Sequence, residues 1–474
     1  MISGRKFKLH FVGIGGIGMS GIAEIFLSQG HTVSGSDLAS NETTERLVRM
    51  GAMIVAGHSA ENIGDVDVVV TSSAVRADNP EVIEAKKRRI PVIPRAEMLA
   101  EIMRGKIGVA IAGTHGKTTT TSMTAQILMQ AGLDPTVVVG GKVEAIGSNA
   151  KVGTGSIVVA EADESDGSYH LLPATYAVVT NIDTDHMEFY HNRENLNDAF
   201  VKFTKQIPFY GCTWLCGDDS GVKAVLPLLT KPYFTYGFEL QNDLVVKNLR
   251  VIVHGMQKFE VWKMPAKDQA HVLLGEVELS VLGKHNVLNS LAALGVSMSI
   301  GASFESVTKA LLHFKHVRRR FDERYHSVEK NIRVIDDYGH HPTEIKAVLS
   351  TARQTGHKRI ITVFQPHRYT RTQLCWNEFL SCFQDSDVLL MLPIYAANED
   401  PIEGVSTPEL CHQLRLQFAT EKNGAQILSI ETLQDAEDWV AKNITDGDLI
   451  LTLGAGSITK LGDSLAAKLK VAEV

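Results

Sequence analysis

Two short turns in this chain are built from residue types that hold phosphates. One is "GTHGKTT", residues 113–119, set between the apolar run "KIGVAIA" and a stretch with helical spacing. A strand-to-helix turn converges backbone N–H groups on an anion, and the helix N-terminus adds partial positive charge. Lys117 supplies a mobile cation, and the Thr118 hydroxyl behind it is a magnesium-ligating type. A full P-loop would carry glycine at 111, where this chain has Ile111, so the turn is a shorter G-x-x-G-K-T variant. These residues predict nucleoside-triphosphate binding. The plainer alternative is a glycine turn capped by threonines.

Acids follow at neighbouring strand ends. In "EADESD", residues 161–166, Glu161 is the first residue past the apolar run "SIVVA". That is where an α/β sheet places a magnesium ligand. Asp163, Glu164 and Asp166 read as a solvated loop. "NIDTDH" repeats the arrangement with Asp183, Asp185 and His186, and His186 is balanced between a structural histidine and a ligand.

The other turn is "FVGIGGIGMSG", residues 11–21. Gly13, Gly15 and Gly18 spell G-x-G-x-x-G, and Asp37 follows at the distance of a ribose-binding acid. Alone, this points to NAD and to an NAD(P)-dependent dehydrogenase, which leaves "GTHGKTT" without a role. A non-catalytic nucleotide switch is a further reading.

Three other stretches carry polar groups at telling spacings. "KHNVLN", 284–289, reads as a helix start with Asn286 or Asn289 as its cap. "PHRYTRT" sets Arg368 and Arg371 three apart, fit either to grip one carboxylate or to stand solvated. "DDYGHHP" places Tyr338, His340 and His341 in a strand-to-helix loop, where neutral imidazole can accept a proton near pH 7. The arginines of "RRRF", 318–321, are either solvated surface or a reach toward a phosphate.

The elements that position these groups alternate. "KLHFVG", "HTVSGSD", "AMIVAG", "DVDVVVTSS" and "IPVIPR" read as strands separated by helical patterns, which implies parallel β-α-β units. A second series begins at "KIGVAIAG", turns to short alternating runs from about 230 to 283, consistent with an antiparallel sheet, and returns to helix. A third α/β unit begins near Phe321. The boundaries expected are 1–105, 106–320 and 321–474. A length of 474 residues fits about three domains of about 150 residues each. A net charge of −7 without a long Lys/Arg run argues against a dedicated nucleic-acid binder. No apolar run reaches the roughly 18 residues that span a bilayer, so no membrane insertion is expected. Five cysteines without a C-x-x-C pair fit reduced thiols in a cytoplasmic protein.

In this order and over nearly the whole chain, "GTHGKTTTT", "EADESD", "NIDTDHMEFY", "GKHNVLNSLAA", "DDYGHHPTE" and "FQPHRYTRT" resemble the Mur ligases, which add amino acids to the peptidoglycan precursor. The resemblance implies an α/β fold of three domains: a Rossmann-like UDP-sugar domain, a central P-loop ATPase with a mixed sheet and a small antiparallel sheet, and a C-terminal Rossmann-like domain. It implies ATP with magnesium, as two ions, held by Thr118, Glu161 and His186, and catalytic roles for Lys117, Glu161, His186 and His340. ATP contacts would come from Gly113, Thr114, His115, Gly116, Lys117, Thr118, Thr119, His285, Asn286 and Asn289. The first glycine turn then holds a UDP-sugar diphosphate through Gly13, Gly15, Gly16 and Gly18, with Asp37 near the uridine and His58, Ser72 and Arg76 as contacts from later loops. Tyr338, His340, Arg368 and Arg371 would line the amino-acid site. "GIGGIGMSGIAE" is most similar to members that join L-alanine to UDP-N-acetylmuramate through an acyl phosphate. Members that attach an intact tripeptide to the same sugar nucleotide are the alternative.

Overall fold

The computed structural model describes residues 5–143, 148–252, 255–266, 269–315, 317–420 and 424–472. Among them the strands form three sheets. The first contains β1 (Lys8–Val12), β2 (Thr32–Asp37), β3 (Met53–Ala56), β4 (Val68–Thr71) and β5 (Val92–Pro94), all parallel, in the order β3-β2-β1-β4-β5. The chain leaves β1 toward β2 and returns on the other side as β4. This reversal opens a crevice at the carboxyl ends of β1 and β4, where open α/β sheets take their ligands. The loops that reach it are Gly13–Gly16 and Ser72–Ala74.

The second sheet contains β6 (Ile107–Ala112), β7 (Thr136–Val143), β8 (Ser148–Lys151), β9 (Ile157–Glu161), β10 (Tyr176–Val179), β11 (Cys212–Cys216), β12 (Tyr233–Gly237), β13 (Leu244–Ile252), β14 (Met256–Lys263) and β15 (Val272–Leu279). Its order is β15-β14-β13-β12-β11-β10-β6-β9-β7-β8. "VAIA", "IVV" and "AVV" in β6, β9 and β10 are buried without alternation, as central parallel strands covered on both faces require. The expected antiparallel stretch is narrower than its pattern: β14 and β15 pair antiparallel, but β12 and β13 pair parallel, and all four continue the central sheet.

Threonine is a poor helix former, yet the helix Lys117–Gln130 opens with four in succession. Thr119, Thr120, Thr121 and Thr124 are buried, so packing decides, and Thr124 Oγ1 donates back to the Thr120 carbonyl at 2.8 Å.

The third sheet contains β16 (Asp322–Ser327), β17 (Ile332–Asp337), β18 (Arg359–Phe364), β19 (Val388–Met391), β20 (Gln426–Ser429) and β21 (Asp448–Leu453) in the order β16-β17-β21-β18-β19-β20. Only β16 is antiparallel to its neighbour.

The described chain forms two compact units. The larger holds the residues up to Arg250 with Gln257–Ser280 and Asn286–Lys315, so the first two sheets, apart from the adjoining ends of β13 and β14, belong to one body. The smaller holds Val281–His285, the described parts of 251–256 and the residues from 317 onward.

Within the larger unit the first sheet is tied to the second through the helix Ile17–Ser28. Asn149 Nδ2 donates to the Ile17 carbonyl and, at 3.0 Å, to Ser20 Oγ. Arg46 pairs with Glu24 and donates to Ser148 Oγ at 2.7 Å. The helix that begins at the first glycine turn is thereby fixed to β8.

Candidate active site

The turn after β6 is shaped by the segment after β10. Gly113 adopts φ +125°, and a Cβ there would stand 2.1 Å from Thr180 Oγ1, so only glycine permits this approach. Asn181 holds His115 at both ends: its Oδ1 accepts from the His115 N–H at 2.8 Å, and its Nδ2 donates to the His115 carbonyl at 2.9 Å. The Asp183 N–H donates to Thr114 Oγ1 at 2.9 Å, and its carboxylate lies 3.1 Å from His115 Nε2.

Lys117 opens its helix and curls back over the turn. Its Nζ donates to the carbonyls of Gly113 and Thr114 at 2.7 and 3.0 Å and pairs with the Glu164 carboxylate at 2.7 Å. Burial penalises the ammonium, but Glu164, Asp163 and Glu161 outweigh it, and the pKa rises above the ordinary lysine value. Burial also pushes the Glu161 carboxyl up, against the Gly140 N–H, the Thr118 hydroxyl and Lys117. Glu161 Oε1 is buried with no hydrogen-bond partner. A carboxylate oxygen in that state, beside a hydroxyl, has the chemistry of a divalent-cation ligand. His186 takes the left-handed conformation, φ 56°, and its Nε2 lies 3.8 Å from Glu164 Oε1. These contacts gather Lys117, Thr118, Glu161 and His186 about one acidic cluster.

Asp163 and Glu164 do not form the solvated loop expected of them. Glu164 is buried against Lys117, and Asp163 Oδ2 accepts from Arg95 at 3.0 Å. Partial burial opposes the charge on Asp163, but Lys117 and Arg95 outweigh it and hold its pKa below the ordinary range. The loop turns inward because mostly buried cations require counter-charges. Asp166 does behave as a loop acid, its Oδ1 accepting from the Ser168 N–H at 3.0 Å.

At the first turn, Asp37 Oδ2 accepts from the Gly15 N–H at 2.8 Å, so this acid buttresses the turn itself. A Cβ on Gly15 would lie 2.8–2.9 Å from Asp37, Asn41 and Thr44. A cavity of about 280 Å³ runs from Gly13, Gly16 and Gly18, past Ser72 and Arg95, to Glu161 and Asp163. It leads from the first glycine turn to Glu161 and Asp163, the acids that face Lys117 of the second. His58 and Arg76 do not line it: His58 Nδ1 lies 3.0 Å from the buried Glu81, and the exposed Arg76 pairs with Asp78 at 3.1 Å.

Neither Asn286 nor Asn289 caps a helix, because the helix Lys284–Ile300 begins before them and buries both. Asn289 Oδ1 accepts from Thr120 Oγ1 at 3.2 Å and would lie 2.6 Å from a Cβ on Gly116, which sets it against the Lys117 turn. His285, in the first turn of that helix, belongs to the smaller unit.

In the smaller unit, His340 Nδ1 lies 3.0 Å from the Tyr338 carbonyl and 3.4 Å from the Glu344 carboxylate. Both are acceptors, so Nδ1 is the donor in these two contacts. The buried His341 caps the helix Pro342–Gln354 and approaches Cys375 Sγ at 3.6 Å. Arg368 and Arg371 have different neighbours: Arg368 Nε lies 3.6 Å from Glu399, whereas the buried Arg371 reaches His367 Nδ1 at 3.3 Å. Arg319 pairs with Asp336 at 3.2 Å and Arg320 with Glu344 at 3.4 Å, and both stand over the Tyr338 ring.

Sequence reasoning missed Arg95, Glu164 and Asn181. Glu164 and Asn181 lie inside motifs that were singled out, but their roles depend on which way a loop folds. Arg95 follows a proline at the end of β5 with no spacing that marks it.

Three family models match in succession: "Mur ligase family, catalytic domain" over residues 8–107, "Mur ligase middle domain" over 111–297 and "Mur ligase, glutamate ligase domain" over 319–456. The UDP-N-acetylmuramate–L-alanine ligase of Trichlorobacter lovleyi is 49% identical over 473 residues, covering 98% of this chain and 100% of the relative. The crystal structure of the UDP-N-acetylmuramate-alanine ligase from Thermotoga maritima superposes with a TM-score of 0.80 at 30% identity, covering 98% of this chain and all of that one. A murein peptide ligase from Psychrobacter arcticus shares the fold, with a TM-score of 0.69 at 22% identity over 98% of both chains.

Proposed function

Because this chain belongs to the Mur ligase family, we infer that it joins L-alanine to the lactyl carboxylate of UDP-N-acetylmuramate, with ATP converted to ADP and phosphate. The observation that supports this reading in the structure is the cavity that runs from the first glycine turn to Glu161 and Asp163, the acids beside Lys117. One turn suits the diphosphate of the acceptor, and the other suits the triphosphate that activates its distant carboxylate. The acceptor carboxylate attacks the γ-phosphorus to give an acyl phosphate and ADP. The alanine amine then attacks that carbonyl, and phosphate leaves.

A carboxylate approaching a triphosphate meets like charge, so the site must concentrate cations. Lys117 does this from within the turn, and its raised pKa keeps it charged at neutral pH. Thr118, Glu161 and His186 would hold magnesium, which would supply further positive charge to the triphosphate. The uncoordinated Glu161 Oε1 supports that placement. His340, through Nε2, is assigned to take the proton from the alanine ammonium, with Tyr338, Arg368 and Arg371 as the surrounding amino-acid site. No helix among the described residues is long and apolar enough to cross a membrane. A cytoplasmic setting fits five buried cysteines that form no disulfide.

Phosphate release in the presence of ATP, magnesium, UDP-N-acetylmuramate and L-alanine tests the assignment. Release is expected only when all four are present. No release across salt and pH would sink it, and turnover with a tripeptide but not alanine would move it to the tripeptide-attaching class.

A further inference from the structure

The cavity that runs from the first glycine turn to Glu161 and Asp163 has one cation in its lining among the described residues, Arg95, and the mechanism above does not use it. Arg95 is the first residue of the helix Arg95–Met103, directly after β5. Its guanidinium lies across the first turn of the helix Ile17–Ser28. A Cβ placed on Gly18 would stand 3.1 Å from Arg95 Cδ, 3.2 Å from its Nη1 and 3.3 Å from its Nε. The third glycine of the first turn is therefore the seat of an arginine. On its far side the same guanidinium donates to Asp163 Oδ2 at 3.0 Å, with the Arg95 side chain 20% exposed. An anion is thus already held at this spot, and it comes from the protein.

We propose that Arg95 is an acceptor-binding residue, whose guanidinium exchanges the Asp163 carboxylate for the diphosphate of the UDP-sugar. Three features support the exchange. The guanidinium borders the same helix N-terminus whose partial positive charge suits a diphosphate. Arginine's planar fork matches phosphate oxygens as well as it matches a carboxylate. Asp163 keeps a second partner for its carboxylate, the Ser165 N–H at 3.1 Å, and 41% of its side chain is exposed, so a multiply charged ligand can reach the guanidinium and take over from it. This inference rests on the acceptor assigned above and adds a residue to its recognition.

The test is titration calorimetry on the full-length protein with UDP-N-acetylmuramate and with UDP, using wild type, Arg95→Ala and Arg95→Lys, alongside steady-state kinetics. A charge-assisted pair of this kind is worth about tenfold or more in affinity. Arg95→Ala is expected to weaken both ligands by about that factor, to raise the KM for the acceptor and to leave the KM for ATP within about twofold. Arg95→Lys keeps the charge without the fork and should recover part of the loss. Unchanged acceptor affinity in Arg95→Ala would overturn the proposal. Weakened UDP-N-acetylmuramate with unchanged UDP would overturn the diphosphate assignment and move Arg95 to the lactyl carboxylate. Failure of wild type to bind either ligand would instead sink the acceptor itself, and with it the proposed function.

Discussion

A buried ammonium needs partners, and Lys117 has three: two carbonyls of its own turn and Glu164. The turn is thus set in shape by the side chain proposed to meet the phosphate. On that proposal, removal of the charge would take away a preorganised stabiliser of the transferring phosphoryl group. Lys117→Ala is expected to lower kcat by about 10²–10³-fold, measured by phosphate release. Glu161→Gln should keep the fold but raise the magnesium concentration for half-maximal activity by at least about tenfold, because a neutral amide replaces the oxygen that lacks a partner. A magnesium titration showing no shift would contradict the ligand assignment. Lys117, Thr118 and Glu161 were legible in the sequence because strand, turn and acid stand in a fixed order along the chain. Arg95 and Glu164 were not, because their roles arise from loops 68 and 47 positions apart meeting in space.

At the scale of elements, the alternation of apolar runs and helical patterns was enough to place the first five strands, since each parallel strand is a short buried run bounded by a turn. It was not enough to give the sense of β12 and β13. An alternating run reads the same whether its neighbour is parallel or antiparallel. Two predictions belong here. Gly15→Val should abolish UDP-sugar binding while ATP affinity is kept, because the added side chain meets Asp37, Asn41 and Thr44; equal sugar-nucleotide affinity in both proteins would refute it. The second concerns Glu81, which joins the helix Pro80–Lys87 to β2 through Ser36 at 2.6 Å and reaches Asn62 at 2.7 Å and His10 at 3.5 Å. Burial opposes its charge, but the nearby His10 ring and the hydrogen bonds from Ser36 and Asn62 prevail and hold its pKa at about 2. A depressed carboxylate stabilises the fold above its unfolded pKa, and that stabilisation is lost as pH falls from about 4.5 toward about 2. The stability gap between wild type and Glu81→Gln should therefore narrow across this window in acid denaturation. A constant gap would show that the charge contributes nothing.

For the whole molecule, the two compact units should unfold separately. Calorimetry is expected to give two transitions, of which UDP-N-acetylmuramate raises one, by about 2.7 kcal/mol at a hundredfold excess over Kd. That transition belongs to the larger unit, which holds the first turn. A single transition, or two that shift together, would contradict this. The tie of the helix Ile17–Ser28 to β8 through Asn149, Arg46 and Glu24 has a consequence for the choice of acceptor. Both glycine turns ride on one body, so the distance between them would work as a gauge for the proposed acceptor. Molecules would then be sorted by reach as well as by chemistry: one whose carboxylate lies a few bonds too near its diphosphate, or too far, would fail however well either end fits. Retuning this enzyme to an acceptor of another length would mean re-spacing that tie and leaving the catalytic groups alone.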